Sequence, residues 1–479
     1  MNAYRRVALT VALSVALAGC ATNPATGERQ LMLMSEAEEV ALGRQYDVEV
    51  REQMGVYNDP DLQRYVSAIG QRLAKASHRP ELPWTFAVVD EPAINAFALP
   101  GGFIYLTRGI LPFLQNEAEL AAVLGHEIGH VDARHSAAAA SRQMAAGGGL
   151  AILGIFVPET QPFQGLAGAA FGLMFLKHGR DAELESDRLG VGYAVANGWA
   201  PTGMPGMLNT LQRLDEANGS RRGVPNWMLT HPPAADRVTR LQEVVAAAKG
   251  SGASTTNQAA LERHLDGIVF GDSREKGIVR GNDFFHPILG FALRFPAGWE
   301  IMNSDEQVTA IENENANVGI VLQLAKAAGS VEQTARSGMN AAGFREVSGG
   351  RETINGLPAY VGTYQGTSNG STIAVRAAHI QAGNQTYLLA GLAAPRDFNR
   401  VDGAFDATIR SFRPLRGAEA ERIQPNRVDL YVVRGGDTWE SIAARSGDAV
   451  KPSTLAIMNG SAPATPPRAG ERIRVVVGG

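Results

Sequence analysis

The sequence predicts an α+β chain of several domains: a mainly helical first half with a small β-sheet, an α/β accessory domain, and a final strand-helix-helix-strand module. A length of 479 residues exceeds what one hydrophobic core usually organises. The composition, 45% apolar and 19% charged, is typical of globular protein. A Gly/Ser/Thr/Asn-rich stretch at 249–258 separates helical periodicities from a region of alternating, strand-like patterns.

The amino terminus has the pattern of a bacterial lipoprotein signal. A basic pair precedes an apolar run at 7–18 that is too short to span a bilayer, and Cys20, the single cysteine, follows Leu17-Ala18-Gly19. This ending resembles the lipobox, which implies a lipid on Cys20. Because Ala21 stands where an aspartate would resemble an inner-membrane retention signal, we expect the periplasmic face of the outer membrane in a Gram-negative cell. An ordinary secretory signal with an incidental cysteine is the alternative.

The first half shows helical patterns around a pair of short strands. Ser35 and Glu38 form a capping box before an acidic helix, and a Pro-Gly-Gly turn leads into a strand pattern. An Ala/Gly/Leu-rich segment could touch a membrane or, as is commoner, pack on its own domain. The predicted helices are 35–55, 60–77, 116–135, 181–197, 205–218 and 234–249, the strands are 84–89 and 101–106, and the Ala/Gly/Leu-rich segment is 137–176.

The strongest candidate for chemistry lies in the predicted helix 116–135. In Gly125-His126-Glu127-Ile128-Gly129-His130 the i, i+4 spacing puts the imidazoles of His126 and His130 on one face, where both can bind one metal ion. Glu127 lies beside them. Two glycines inside a helix cost about 1 kcal/mol each, and such local rule-breaking is typical of functional sites.

A third metal ligand has to come from elsewhere in the chain. Catalytic zinc usually has three protein ligands and one open position. Glu183 is the candidate, and Asp187, on the same predicted helix face, could accept a hydrogen bond from the far nitrogen of a ligating histidine. Glu185 is interpreted as a surface carboxylate that points away from this face, and His135 as a helix-surface residue.

At these residues the sequence resembles the gluzincin peptidases that include HtpX, the CAAX prenyl endopeptidases and the BepA-type envelope proteases. The resemblance covers about 24–249. Besides the two motifs, 95–105 resembles the family's edge strand above the active site, and 23–28 resembles the start of mature periplasmic members. The resemblance implies one Zn²⁺ per chain, held by His126, His130 and Glu183, with Glu127 taking the proton of the attacking water.

The resemblance also suggests substrate contacts and a form of restraint. A substrate strand could pair with the backbone in the segment that begins at Asn95, near Ala98 or from Phe103 to Tyr105. In BepA-type relatives a loop histidine can obstruct the metal, which implies the same for His231; the alternative is that His231 caps the following helix. Arg237 could stabilise the developing oxyanion or pair with an acidic surface residue.

The second half resembles two accessory modules. The segments 431–443, 455–460 and 470–473 resemble a LysM repeat, which implies binding to peptidoglycan glycan. Arg434-Gly435 replaces the usual Pro-Gly pair, so a degenerate copy that serves as a docking surface is the alternative. The middle region, with Trp299 in Phe-Pro-Ala-Gly-Trp, resembles small PsbP-like α/β domains and implies no chemistry.

These observations give six predicted segments and one preferred function. The protein is expected to be a membrane-tethered zinc endopeptidase that cleaves misfolded or stalled envelope proteins; the competing hypothesis is a lipid-anchored chaperone or peptidoglycan-associated scaffold with a structural zinc. The net charge of −4 and the lack of a Lys/Arg tract argue against nucleic acid as a partner. The segments are 1–19 (signal peptide), 20–30 (lipidated tether), 31–250 (peptidase), 251–283 (linker), 284–415 (accessory domain) and 428–479 (LysM-like module).

Overall fold

The computed structural model describes residues 20–145, 178–218, 227, 231, 235–304, 306–312, 318–368 and 371–479. The predicted signal peptide and all but the first residues of the Ala/Gly/Leu-rich segment lie outside these ranges. The chain forms two compact units: unit 1 contains the described residues up to Gly271 together with Asn426–Gly478, and unit 2 contains Asp272–Pro425 with Gly479. In the described part of the chain, every helix is too short or too polar to cross a membrane.

Helices make up most of unit 1 before residue 271. Their starts carry capping residues: Ser35 forms the predicted capping box with Glu38, and the Asn116 side chain accepts a hydrogen bond from the Glu119 backbone N–H. The helices are α1 (Glu36–Met54), α2 (Pro60–Lys75), α3 (Glu117–Asp132), α4 (His135–Ala145), α5 (Arg180–Ala196), α6 (Gly203–Asn218), α7 (Ala235–Ala248) and α8 (Gln258–Leu265), with 3₁₀ turns at Arg108–Phe113 and Lys249–Ser251.

The strands of this part form a hairpin and a small sheet. The sheet has the order β3-β5-β4, so β5 is central, parallel to β3 and antiparallel to β4. The hairpin pairs β1 with β2, and Gln30 donates to the carbonyl of Ala133, so the predicted tether 20–30 packs on the unit. The strands are β1 (Cys20–Thr22), β2 (Arg29–Leu31), β3 (Thr85–Val89), β4 (Ala96–Leu99), β5 (Phe103–Thr107) and β6 (Val269–Phe270).

Helix α3 lies at the centre of unit 1. Every one of its residues is buried, because α2, α5, α6 and strand β4 all contact it. A helix that is buried all round belongs to the core. The predicted metal-binding motif is therefore held inside the unit.

The predicted linker 251–283 is wrong for its first part. Leu261 and Leu265 of α8, with Ile268, belong to the hydrophobic core of unit 1. The Gly/Ser-rich composition of 249–258 indicated a boundary, but the apolar residues that follow it pack back onto the preceding helices. The division between the units falls between Gly271 and Asp272.

Unit 2 is rich in β-structure. Its larger sheet has seven antiparallel strands in the order β10-β11-β12-β16-β15-β14-β13, and the smaller has the order β17-β9-β8-β7. Because the described strands pair antiparallel, the unit is α+β, the overall class that the sequence predicts, and its sheets are not of the parallel kind that the label α/β denotes. Its elements are β7 (Ile278–Arg280), β8 (Asp283–His286), β9 (Phe291–Arg294), β10 (Glu300–Asn303), β11 (Gln307–Ile311), β12 (Gly319–Leu324), α9 (Val331–Ala341), β13 (Arg345–Ile354), β14 (Leu357–Ser368), β15 (Ser371–Ala382), β16 (Gln385–Ala393), α10 (Pro395–Ser411), β17 (Arg413–Pro414) and α11 (Ala418–Arg422).

The last segment returns to unit 1 with the order strand-helix-helix-strand: β18 (Asn426–Val432), α12 (Trp439–Arg445), α13 (Pro452–Met458) and β19 (Arg472–Val477). Strand β18 pairs with both β19 and β6. The buried guanidinium of Arg474 donates to the carbonyls of Pro112 and Leu114 at 2.9 and 2.6 Å and to Gln115 Oε1 at 2.6 Å. These acceptors lie just before α3, so Arg474 fastens the segment beside the central helix. The LysM assignment stays a prediction.

The substitution Arg474→Met is expected to lower the free energy of unfolding of unit 1 by about 3 kcal/mol, because it leaves buried carbonyl acceptors without a donor. Urea unfolding followed by tryptophan fluorescence measures this change. Arg468→Met removes an equal charge from an exposed position of the same segment. Equal unfolding midpoints for the two variants would contradict the anchoring role.

Candidate metal centre

Helices α3 and α5 approach each other through glycines. A Cβ on Gly125 would lie 2.9 Å from the carbonyl oxygen of Gly190, and one on Gly190 would lie 2.7 Å from the His126 nitrogen. A Cβ on Gly129 would lie 3.0 Å from Ser186 Cα. Glycine lowers the stability of each helix, but here it allows the backbones of α3 and α5 to come closer than larger residues would permit. This approach brings the predicted ligands of the two helices together.

Four side chains direct donor atoms toward one point. They are His126, His130, Glu183 and His231, all buried, with donor atoms within 4.8 Å of one another. His126 Nε2 lies 3.0 Å from His130 Nε2 and 3.2 Å from His231 Nδ1. Glu183 Oε1 lies 3.4 Å from His130 Nε2 and 3.1 Å from His231 Nδ1. The structure thus gathers the three predicted ligands and adds His231 as a fourth donor.

The donor set fits a tetrahedral cation. Zinc–nitrogen bonds of about 2.0–2.1 Å at tetrahedral angles place neighbouring ligand atoms about 3.3 Å apart, close to the separations observed. Burial lowers the pKa of His130 well below its ordinary value, so its ring is neutral and has a lone pair to offer. Burial raises the pKa of Glu183, but its contacts with His231 and His130 outweigh burial and hold that pKa well below its usual range. Two imidazoles beside a carboxylate suit zinc.

Asp187 and Arg237 support the donor set from behind. Asp187 Oδ1 accepts from His126 Nδ1 at 2.9 Å, which is the contact expected from sequence. Arg237 is buried, donates to both oxygens of Asp187 at 2.7 and 2.8 Å, and lies 2.9 Å from Glu183 Oε2. Of the two roles considered for Arg237, pairing with carboxylates matches the geometry, although those carboxylates are buried and not at the surface.

The side chain of His231 lies across the site. His231 Nε2 is 3.6 Å from Glu127 Oε1, while Nδ1 faces Glu183 and His126. Both ring nitrogens therefore face the site, which argues against helix capping as the role of His231. The buried Trp227 stacks on His231 with ring centroids 4.7 Å apart and directs its indole N–H to Glu127 Oε1 at 3.4 Å.

The predicted edge strand divides into an open part and a paired part. Among the described strands, β4 pairs only with β5, so the backbone near Ala98 lies at an edge. Strand β5 is paired on both sides, and Phe103 and Tyr105 are buried. The prediction that a substrate pairs with Phe103 to Tyr105 is therefore wrong. Asn95 is buried just before β4, where its Oδ1 accepts from the Ala96 backbone N–H.

Two residues at the centre were assigned to other places from sequence, and a third, His178, was not among the predicted site residues. His135 is buried, with its Nδ1 2.9 Å from His130 Nδ1, so its helix-surface assignment is wrong. Glu185, interpreted as a surface carboxylate, is 3.4 Å from His135 Nε2. His178 stacks on His130 with centroids 4.1 Å apart, and burial lowers its pKa to about 3. In the sequence, only the closeness of His178 to Glu183, five residues later, could have indicated that His178 lies at the metal centre.

A buried His-Glu-x-x-His helix joined by a carboxylate from a second helix is the arrangement typical of the class of metalloendopeptidases. More particularly, residues 60–245, less than half of the chain, match the model of "Peptidase family M48". The resemblance seen in the sequence is confirmed.

Two relatives and one solved structure illustrate the similarity. The "Beta-barrel assembly-enhancing protease" of Yersinia pestis is 34% identical over 209 residues, which cover 42% of each chain. The "Mitochondrial metalloendopeptidase OMA1" of Schizosaccharomyces pombe is 30% identical over 182 residues, 37% of this chain and 52% of that protein. The chain thus spans about half the length of these relatives. Cyanobacterial PsbP from Synechocystis covers 29% of this chain and 95% of its own at 10% identity with a TM-score of 0.23, too low to assign a fold.

Proposed function

We propose that the protein is a zinc-dependent endopeptidase that hydrolyses peptide bonds in misfolded or stalled envelope proteins, and that His231 restrains it. The observation that carries the proposal is the buried set of His126, His130 and Glu183 beside Glu127. Three such donors with a neighbouring carboxylate that is not a ligand are the parts that water activation requires.

The residues divide the chemistry between them. When bound, zinc supplies a Lewis acid that lowers the pKa of a coordinated water to about 7. Glu127 takes the proton of the attacking water and passes it to the departing amine. The indole of Trp227 holds the Glu127 carboxylate in place. The open edge of β4 near Ala98 presents the peptide in extended form by adding a strand to the sheet.

His231 supplies the proposed restraint. A catalytic zinc keeps one position open for water, whereas four protein donors close the site. The His231 ring lies against Glu183 and also faces Glu127, so it occupies the place between the metal position and the base. Hydrolysis therefore requires the His231 ring to move away from the site.

The location and substrates follow from the sequence and from the relatives. A lipid on Cys20 holds the protein at the periplasmic face of the outer membrane, and the segment 428–479 docks to peptidoglycan or to a protein. The name of the Yersinia pestis relative refers to β-barrel assembly. Outer-membrane β-barrel proteins that fail to assemble are therefore proposed among the substrates, together with other unfolded envelope proteins.

One observation favours a second candidate function. Four buried donors at nearly equal separations are also typical of a structural zinc site. In that case the protein is a lipid-anchored chaperone or peptidoglycan-associated scaffold, and zinc only stabilises the fold. The two functions differ in what happens when His231 is removed, because a structural site hydrolyses nothing in either state.

Removal of the metal tests the proposed function directly. We expect the purified protein to contain one zinc per chain and to lose cleavage of unfolded casein when a chelator removes the zinc. Added Zn²⁺ should restore cleavage, since the ligands belong to a preformed, buried site. Metal analysis beside the proteolysis assay gives both quantities. Full cleavage by metal-free protein would contradict the proposal.

A further inference from the structure

The two ligand histidines of α3 are supported differently. The far nitrogen of His126 meets a carboxylate directly, in Asp187. The far nitrogen of His130 meets another imidazole, because His130 Nδ1 lies 2.9 Å from His135 Nδ1. A ligating histidine nearly always donates this N–H to an acceptor that fixes its orientation. For His130 that acceptor is a ring which itself needs to be held.

Two further residues hold the His135 ring. His135 Nε2 lies 3.4 Å from Glu185 Oε2, and Glu185 Oε1 accepts from Asn23 Nδ2 at 2.9 Å. Asn23 and His135 are buried, and the Glu185 side chain is 19% exposed. We call this series of contacts, from His130 through His135 and Glu185 to Asn23, the relay.

The donors and acceptors of the relay agree with one another. An amide nitrogen such as that of Asn23 only donates, and an ionised carboxylate only accepts. Glu185 therefore also accepts from His135, whose Nε2 carries the proton and whose Nδ1 has the lone pair. That lone pair accepts the Nδ1 proton of His130, which leaves the Nε2 lone pair of His130 for the metal.

The amino-terminal end of the relay is fixed to the peptidase domain. Asn23 is the first residue of the turn between β1 and β2, and its Oδ1 accepts a hydrogen bond from the Ala25 backbone N–H at 2.8 Å. The hairpin then contacts the junction of α3 and α4, where Gln30 Nε2 donates to the Ala133 carbonyl at 3.1 Å. A residue three positions after Cys20 is thereby joined to a metal ligand.

We propose that His135, Glu185 and Asn23 are positioning residues that orient His130 toward the metal and connect it to the amino-terminal hairpin. This rests on the proposed function, since the orientation of His130 matters only if it binds the metal. Glu185 acts through His135, and Asn23 acts by holding one oxygen of Glu185 while the other faces the imidazole.

The test is the substitution Glu185→Gln, which keeps the size of the side chain and removes its charge. We expect zinc affinity, measured by competition with a chromophoric chelator, to fall about 10- to 100-fold. The visible absorption of the Co²⁺-substituted protein should change as well, because it reports the geometry at His130. Asp181→Asn removes one carboxylate from an exposed position of the same helix and is the matched control.

Zinc affinity and a Co²⁺ spectrum equal to those of Asp181→Asn would overturn the proposal. Should Glu185→Gln fail to fold, Asn23→Ala, which removes only the donor at the hairpin, decides by the same two measurements. Neither measurement involves a substrate. A protein that binds zinc through an intact relay yet cleaves nothing would therefore refute the proposed function alone, whereas unchanged affinity in a proteolytically active protein would refute the relay alone.

Discussion

Replacement of Glu127 by Gln is expected to lower peptide hydrolysis by about 10²- to 10⁴-fold, the range that a positioned general base contributes. The amide cannot take the proton of the attacking water. Glu127 is not among the four donors, so zinc content should stay at the wild-type value. The rate of casein cleavage and metal analysis on the same sample give both quantities.

The control for this variant is Glu52→Gln, which makes the same chemical change at an exposed position of α1. Its rate should equal that of the wild type. A Glu127→Gln protein that keeps zinc and cleaves casein as fast as the control would refute the assigned base. A variant that loses zinc would show instead that Glu127 helps to hold the metal.

Replacement of His231 by Ala is expected to raise the rate of casein cleavage by about tenfold or more. Such an increase corresponds to a closed form favoured by about 1.4 kcal/mol or more over the open form. The substitution removes the fourth donor and the ring that faces Glu127, while His126, His130 and Glu183 remain to bind zinc. The measurement compares initial rates at equal zinc occupancy.

His264→Ala is the matched control, because this histidine is partly exposed and stacks on Tyr65 away from the metal. It should leave the rate unchanged. If His231→Ala binds zinc but cleaves nothing, the scaffold hypothesis with a structural zinc is favoured over the enzyme. A rate below that of the wild type would show that His231 contributes to hydrolysis and does not restrain it.

The parts of the site that could be predicted are local or belong to the family pattern. The spacing of His126 and His130 fixes two imidazoles on one helix face whatever the tertiary fold. Glu183 and Asp187 lie one turn apart on a second helix, and the family resemblance indicated that this helix returns to the first.

The parts that were wrong depend on breaks in helical periodicity and on tertiary pairing. If the helix continued through residue 135, His135 would lie more than one turn beyond His130, away from the site. Arg134 has a φ of 59°, so α3 ends at Asp132 and the turn brings His135 back to His130. The order of strands in a sheet is likewise a property of the assembled sheet. The residues of β5 alone therefore could not show that β5 is the central strand.

The first part of the predicted linker was misplaced for a related reason. A change of composition marks a position in the sequence, whereas unit 1 is assembled from residues that precede unit 2 in the sequence and from residues that follow it. The mixed class, the helical peptidase domain and a separate β-rich region were nevertheless predicted correctly. Helix boundaries such as those of α1 and α2 lie within a few residues of the predicted ones.

The position of Arg474 has a consequence for biosynthesis. Val428, Met458 and Val476 contribute to the same core as helix α3, and Arg474 donates hydrogen bonds to the backbone carbonyls just before that helix. A ribosome has to translate all of unit 2 and then β19 before these contacts can form. The core around α3 is therefore completed only after synthesis of this last strand, so that a prematurely terminated polypeptide lacks part of that core.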